Sequence, residues 1–180
     1  IPDLIYTIFT PLMHATGSLP SILILSTLSG LFWFFGIHGD NMMGAVTTPI
    51  TTAAIAANAE AMAAGQPLPY IYAGAMGAIF GGWLACNCAM NIYLILFAKS
   101  SRIRSLSKVA AVPAFFNIGE PYVFGLPEVL NLYFFIPSTI CNILNITVYY
   151  FLASANIVGR VYISMPFTTP APLQAFLATG

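Results

Sequence analysis

Charge is what this sequence has least of. Five acidic and five basic residues among 180 make 6% of the chain, against roughly 25% in an ordinary soluble domain. A water-facing surface cannot be covered with so little charge, so a free-standing soluble fold is excluded. Residues 4–37, 61–98 and 129–159 contain no Asp, Glu, Lys or Arg at all. Each of these runs exceeds the ~20 residues that cross a bilayer core as helix.

Other absences narrow the field further. Net charge is zero and no basic stripe exists, which removes the electrostatic footprint of a nucleic-acid binder. Cysteine is scarce: Cys86, Cys88 and Cys141 lie within apolar runs, and Cys86 with Cys88 lacks the second ligand pair of a zinc site. They read as small apolar residues. No Ser-His-Asp set, phosphate loop or metal-spaced cluster occurs, so no cofactor and no metal are expected. No basic leader with a cleavage site is present. The chain opens on Ile1 and stops within an apolar stretch, which reads as a fragment.

What is present is 59% hydrophobic residues punctuated by Gly and Pro. Residues 1–17, broken by Pro11, suit a short interfacial or kinked helix. Residues 19–37 are long enough to cross, and end in aromatics. Residues 38–65 are rich in Ala, Thr and Gly, interrupted by Pro49, and too polar for a lipid-facing helix; they predict a re-entrant segment followed by a small-residue helix. Residues 70–98 predict a second span, about 44 Å if wholly helical. In it Gly77 and Gly81, and Gly74 and Ala78, form small-residue faces, while Asn87 and Asn91 share an inward face. Residues 99–108 hold four of the five basic residues, which makes this loop cytoplasmic by the positive-inside rule. In residues 109–129, Pro113, Gly119, Pro121, Gly125 and Pro127 argue against a continuous helix. Residues 130–158 predict a third span, and a Pro-broken apolar tail follows. The fold class expected is an all-α integral membrane protein: a multi-spanning helical bundle with re-entrant, Pro/Gly-broken hairpins.

Glu120 stands out, because a carboxylate in an apolar segment costs several kcal/mol unless paired or hydrated. Pro121 disfavours helix at Glu120 and Gly119 permits unusual dihedrals, so backbone groups there are freed to meet a ligand. Broken helices of this kind build the binding sites of many transporters. Asn117, Glu120, His38 and Asn41, with Gly39 beside the imidazole, combine acceptors and donors suited to hydroxyl groups. Phe115, Phe116, Trp33 and Tyr122 are available to stack on a sugar face. The set points to a carbohydrate-like ligand; the alternative is a structural hydrogen-bond network between helices. His38 alone could merely cap a helix, Asp40 and Glu60 could lie in aqueous loops, and Glu128 reads as an interface residue. An ion-coupled transporter of a small polar solute would also use broken helices and a buried carboxylate.

Three ordered motifs carry a resemblance. Phe34-Phe35-Gly36-Ile37-His38-Gly39, then Phe116-Asn117-Ile118-Gly119-Glu120-Pro121 followed by Phe124-Gly125-Leu126-Pro127, and finally Pro166-Phe167-Thr168-Thr169-Pro170, resemble the IIC permease component of bacterial phosphotransferase systems, in the lactose, cellobiose and diacetylchitobiose branch. The resemblance runs over essentially the whole chain. It implies a multi-pass protein of the bacterial inner membrane, homodimeric through an N-terminal half, with the sugar site between re-entrant hairpins of the C-terminal half. Residues 1–180 look like most of that second half, without the last helix. It further implies that His38 and Glu120 contact the sugar near the hydroxyl to be phosphorylated. A IIB partner would carry the phosphocysteine, and the IIC chain would have no nucleophile of its own. Gly119, where a polar residue is usual, and Phe167, where Trp is usual, depart from the pattern and leave the particular β-linked disaccharide open.

Overall fold

The structure is a computed structural model that describes residues 14–74 and 83–180. Among the described residues it is all-helical: α1 (Leu19–Phe34), α2 (Gly39–Ala63), α3 (Trp83–Phe97), α4 (Ser101–Phe115), α5 (Glu120–Val123), α6 (Leu132–Ser154) and α7 (Ala171–Thr179). The expectations for residues 1–13 and for Gly77, Ala78 and Gly81 fall outside the described residues, as do the side chains of Cys86, Asn87 and Cys88.

Helix α6, 23 residues, is the one described helix long and apolar enough to cross a membrane alone. Helix α1 is apolar but has 16 residues, about 24 Å at 1.5 Å per residue. It packs along α6 through Ile22, Ile146, Tyr149 and Ala153, and the Asn142 amide of α6 donates to the Ser26 hydroxyl of α1. Between α3 and α4 only residues 98–100 intervene, so the two helices fold back on one another. Asn91 seals that pair: with its amide oriented to satisfy both neighbours, it donates to the Ser107 carbonyl (2.9 Å) and accepts from the Ala111 amide (3.3 Å).

Two expectations are corrected. Residues 38–65 do not form a re-entrant piece followed by a helix, because α2 runs unbroken for 25 residues through Pro49. Proline removes one helical N–H, here the one that would reach the Ala45 carbonyl, and the bonds on either side keep the helix continuous; Thr47 and Thr51 also bond back to the carbonyls of Met43 (3.1 Å) and Thr47 (3.0 Å). Nor is the neutral run 70–98 one long helix. Its first residues, 70–74, are irregular, and the described part of α3 runs from Trp83. Asn58, fully buried on α2, captures that stretch: its Nδ2 donates to the carbonyls of Tyr70 and Val161 (2.8 Å each), and its Oδ1 accepts from the Tyr70 amide (2.9 Å). Gly74 is therefore not part of a helical small-residue face. It sits at φ +55°, where a Cβ would lie 2.1 Å from Ile55 Cδ1.

The interruption expected in residues 109–129 is present. Helix α4 stops at Phe115, Asn117 takes φ +62°, Gly119 caps the four-residue α5, and turns lead to α6. Large apolar side chains cover the outside, including Val109, Val112, Leu132, Tyr133, Val148 and Phe151, each more than half exposed. Such a surface is met by lipid or protein rather than water.

Candidate functional site

The site begins with the N-terminus of α2. His38 is its N-cap, and the imidazole Nδ1 accepts from the Asn41 backbone amide at 3.3 Å. That bond uses one of the orphan donors every helix start leaves. It also fixes the tautomer, since a neutral imidazole that accepts at Nδ1 carries its proton on Nε2. The next residue must be glycine: a Cβ on Gly39 would lie 2.0 Å from the Ser29 carbonyl oxygen, so α1 and α2 touch backbone to backbone here.

One residue further on, Asp40 reaches back to α1. Its Oδ1 accepts from the Ser29 hydroxyl (2.8 Å) and its Oδ2 from the Trp33 indole Nε1 (3.3 Å). Trp33 is buried, at 4% exposure, and its ring centre lies 4.4 Å from that of His38 at an interplanar angle of 45°. The imidazole is thus held on one side by the helix start and on another by an indole face.

The second half of the site comes from the interruption before α6. Gly119 and Pro121 open α5 with Glu120 in its first turn. There the positive end of the peptide dipoles favours a carboxylate. Its Oε1 lies 3.4 Å from His38 Nε2, with the two side chains 35% and 44% exposed. Both are therefore paired and still open to a ligand. Phe124 lines the edge, its ring 6.2 Å from Trp33.

Of the residues expected at the site, His38, Gly39 and Glu120 converge, and Asn41 joins them through its backbone amide with an exposed side chain. Asn117 is close in sequence but faces elsewhere. It is 6% exposed, and its amide nitrogen donates to the carbonyls of Phe167 (2.8 Å) and Thr169 (2.6 Å). With both donors so used, Asn117 ties the third motif beneath the Glu120 loop. Tyr122 is not a stacking surface: it is fully buried against Ala110 and Leu126. Phe115 and Phe116 stand edge to face with each other (5.3 Å, 86°) and are exposed. Glu128 is buried rather than interfacial, and His14 packs on Tyr70 (5.6 Å). Asp40, which could have lain in an aqueous loop, is exposed but sits in the first turn of α2 and binds two side chains of α1. A carboxylate two residues after a candidate histidine was the available signal, but its partners Ser29 and Trp33 precede it by whole helical turns.

Carboxylate, imidazole N–H, helix-start backbone and aromatic edge stand together, a set whose chemistry suits hydroxyl groups. The Glu120 carboxylate has lone pairs to accept from a hydroxyl, and the single His38 Nε2–H can serve either that carboxylate or a hydroxyl.

A family model described as "Phosphotransferase system, EIIC" matches residues 1–141. Among curated proteins, the lichenan permease IIC component of Bacillus subtilis (strain 168) is 35% identical over 174 residues, which is 95% of this chain and 38% of that protein. The lactose-specific EIICB component of Streptococcus mutans serotype c is 30% identical over 97% of this chain and 31% of its own length. The chain therefore spans less than two fifths of the relatives it matches. Among solved structures, the transporter ChbC, the IIC component from the N,N'-diacetylchitobiose-specific phosphotransferase system, superposes with a TM-score of 0.89 at 28% identity, over 94% of this chain and 40% of that one.

Proposed function

The chain belongs to the EIIC family of the phosphotransferase system, and from that membership we propose that it forms the sugar-handling part of a membrane permease for a β-linked disaccharide of the cellobiose, diacetylchitobiose or lactose type. The observation that carries this reading is the meeting of His38 and Glu120. They stand 82 positions apart in sequence, come from a helix start and a broken helix, and are 3.4 Å apart with both side chains partly exposed.

In this reading the sugar lies across the His38–Glu120 pair with its 6-hydroxyl toward the carboxylate. Glu120 accepts the hydrogen bond of that hydroxyl and draws its proton as the oxygen attacks phosphorus. His38, with its proton on Nε2, donates to the Glu120 carboxylate and orients it, so that the remaining carboxylate lone pairs face the sugar hydroxyl. Phosphoryl transfer needs the acceptor oxygen in line and its charge stabilised more than it needs covalent chemistry from the acceptor's host. The phosphoryl group comes from a phosphocysteine on a IIB partner, fused or separate. The permease is a homodimer in the bacterial inner membrane, assembled through sequence preceding this part, and the segment holding Glu120 is a re-entrant hairpin. A rigid-body movement carries the site from the outer to the cytoplasmic face, where the phosphorylated product leaves.

The test is uptake of labelled cellobiose, lactose and diacetylchitobiose by the permease in proteoliposomes, energised either by phosphoenolpyruvate with the phosphotransfer proteins or by an ion gradient. Sugar 6-phosphate formed only with phosphoenolpyruvate supports the proposal and names the substrate. Unmodified sugar accumulating on the ion gradient alone overturns it.

A further inference from the structure

We propose that Asp40 is a positioning residue for the phosphorylation chemistry, acting on His38 through the Trp33 indole. The inference rests on the function proposed above and deepens it. Among the described residues the His38 ring is met at Nδ1 by the Asn41 amide at 3.3 Å and at Nε2 by the longer, 3.4 Å approach of Glu120. Both contacts lie along one line across the imidazole and leave it free to rock about that axis. What limits the rocking is the Trp33 ring, centred 4.4 Å away.

Trp33 in turn is set by its N–H, which donates to Asp40 Oδ2 at 3.3 Å. The same carboxylate receives the Ser29 hydroxyl on its other oxygen at 2.8 Å, so its own rotamer is determined. Gly39 brings the two backbones into contact and fixes the distance over which this bridge must reach. The chain of contacts therefore runs from Ser29 to Asp40, Trp33, His38 and Glu120, through two hydrogen bonds, a ring contact and the 3.4 Å approach of the imidazole to the carboxylate.

Asp40 never touches the sugar in this arrangement. A first-turn aspartate also favours a helix start by its charge alone, so a purely structural role is the competing account, and the two differ in whether the effect passes through His38. Misplacing a reacting group by about 1 Å costs on the order of a hundredfold in rate.

The experiment is a double-mutant cycle between positions 40 and 38 in the full permease, read as the initial rate of phosphoenolpyruvate-dependent sugar phosphorylation and, in parallel, as equilibrium binding of the sugar found to be the substrate. Binding remains measurable where phosphorylation becomes slow. Asp40→Ala, which removes the acceptors of both the Trp33 indole and the Ser29 hydroxyl, is expected to lower the rate roughly ten- to hundredfold when His38 is present and by less than about twofold in a His38→Ala background, with the same non-additivity in binding. Equal factors in both backgrounds, or no loss at all, would overturn the proposal. Trp33→Phe, which keeps an aromatic ring but removes the N–H and the five-membered part of the indole, is the second variant if Asp40→Ala fails to assemble, and it is held to the same two outcomes. Failure of the functional reading itself looks different: the unsubstituted permease would then form no sugar phosphate.

Discussion

His38 Nε2 lies 3.4 Å from Glu120 Oε1, and the bond at the other ring nitrogen is what makes that approach chemically definite. With Nδ1 accepting from the Asn41 amide, a neutral imidazole presents an N–H to the carboxylate. The carboxylate keeps its remaining lone pairs for a ligand hydroxyl.

Glu120→Gln preserves the size of the side chain and removes its charge. Sugar phosphorylation is expected to fall by roughly 10²–10⁴, the range over which a positioned acid or base contributes, while sugar affinity changes by less than about tenfold. Rates and binding isotherms on the same proteoliposome preparation check this. An equal loss in both would mean that Glu120 only binds.

Gly39→Ala is expected to destabilise the protein by about 1–3 kcal/mol, the usual cost of forcing extra volume into a close-packed contact. The new Cβ would press on the Ser29 carbonyl, which cannot turn away as a side chain can. Gly44→Ala in the same helix is the control. Its Cβ would meet only the Thr48 hydroxyl, at 3.3 Å, and the gain in helix propensity, up to about 1 kcal/mol, offsets that contact. Thermal unfolding in detergent separates the two.

Asn117 offers a graded series. Asn117→Gly keeps the left-handed backbone and loses both donors to Phe167 and Thr169, at a cost of about 2 kcal/mol for the two unpaired carbonyls. Asn117→Asp keeps the shape but turns a carboxylate oxygen toward those carbonyls and is expected to be worse. Asn117→Ala adds roughly 1–2 kcal/mol of backbone strain to the loss in the Gly variant. The order Gly, then Ala, with Asp below Gly, is read from unfolding temperatures; equal temperatures for all three would show that the bonds carry no stability.

Asn58→Leu conserves the branched shape, adds some bulk, and strands the amide and carbonyl of Tyr70 and the carbonyl of Val161. The expected cost is about 3 kcal/mol or more, since each buried unsatisfied group costs ~1–3 kcal/mol. Retention of the unsubstituted unfolding temperature would show that water replaces the side chain there.

The sequence made the membrane class legible through missing charge, and the break around Glu120 through Gly119 and Pro121, because both signals are local. Pro49 misled for the opposite reason. A proline removes one helical bond wherever it stands, but whether the helix survives depends on the bonds and packing on either side, as with Ile50, Thr51 and Ala54 buried just beyond Pro49. The run from residue 70 looked uniformly helical because hydropathy does not register that Asn58, one helix earlier, pairs with both backbone groups of Tyr70. At the site, His38, Gly39 and Glu120 were recoverable as polar or special residues in apolar surroundings. The orientation of Asn117 was not, since an amide that binds a ligand and one that binds two carbonyls have the same letter.

The close approach at Gly39 also bears on motion. With no side chain between the backbones of α1 and α2, the two helices have no layer across which to slide at that point, and Asp40 rivets them again one residue later. They therefore travel as a single plank, with His38 at its tip. The separation between a probe on that plank and one beside Glu120 then contains no sliding between α1 and α2: it stays constant if the whole site moves as one body and changes only if its two halves part.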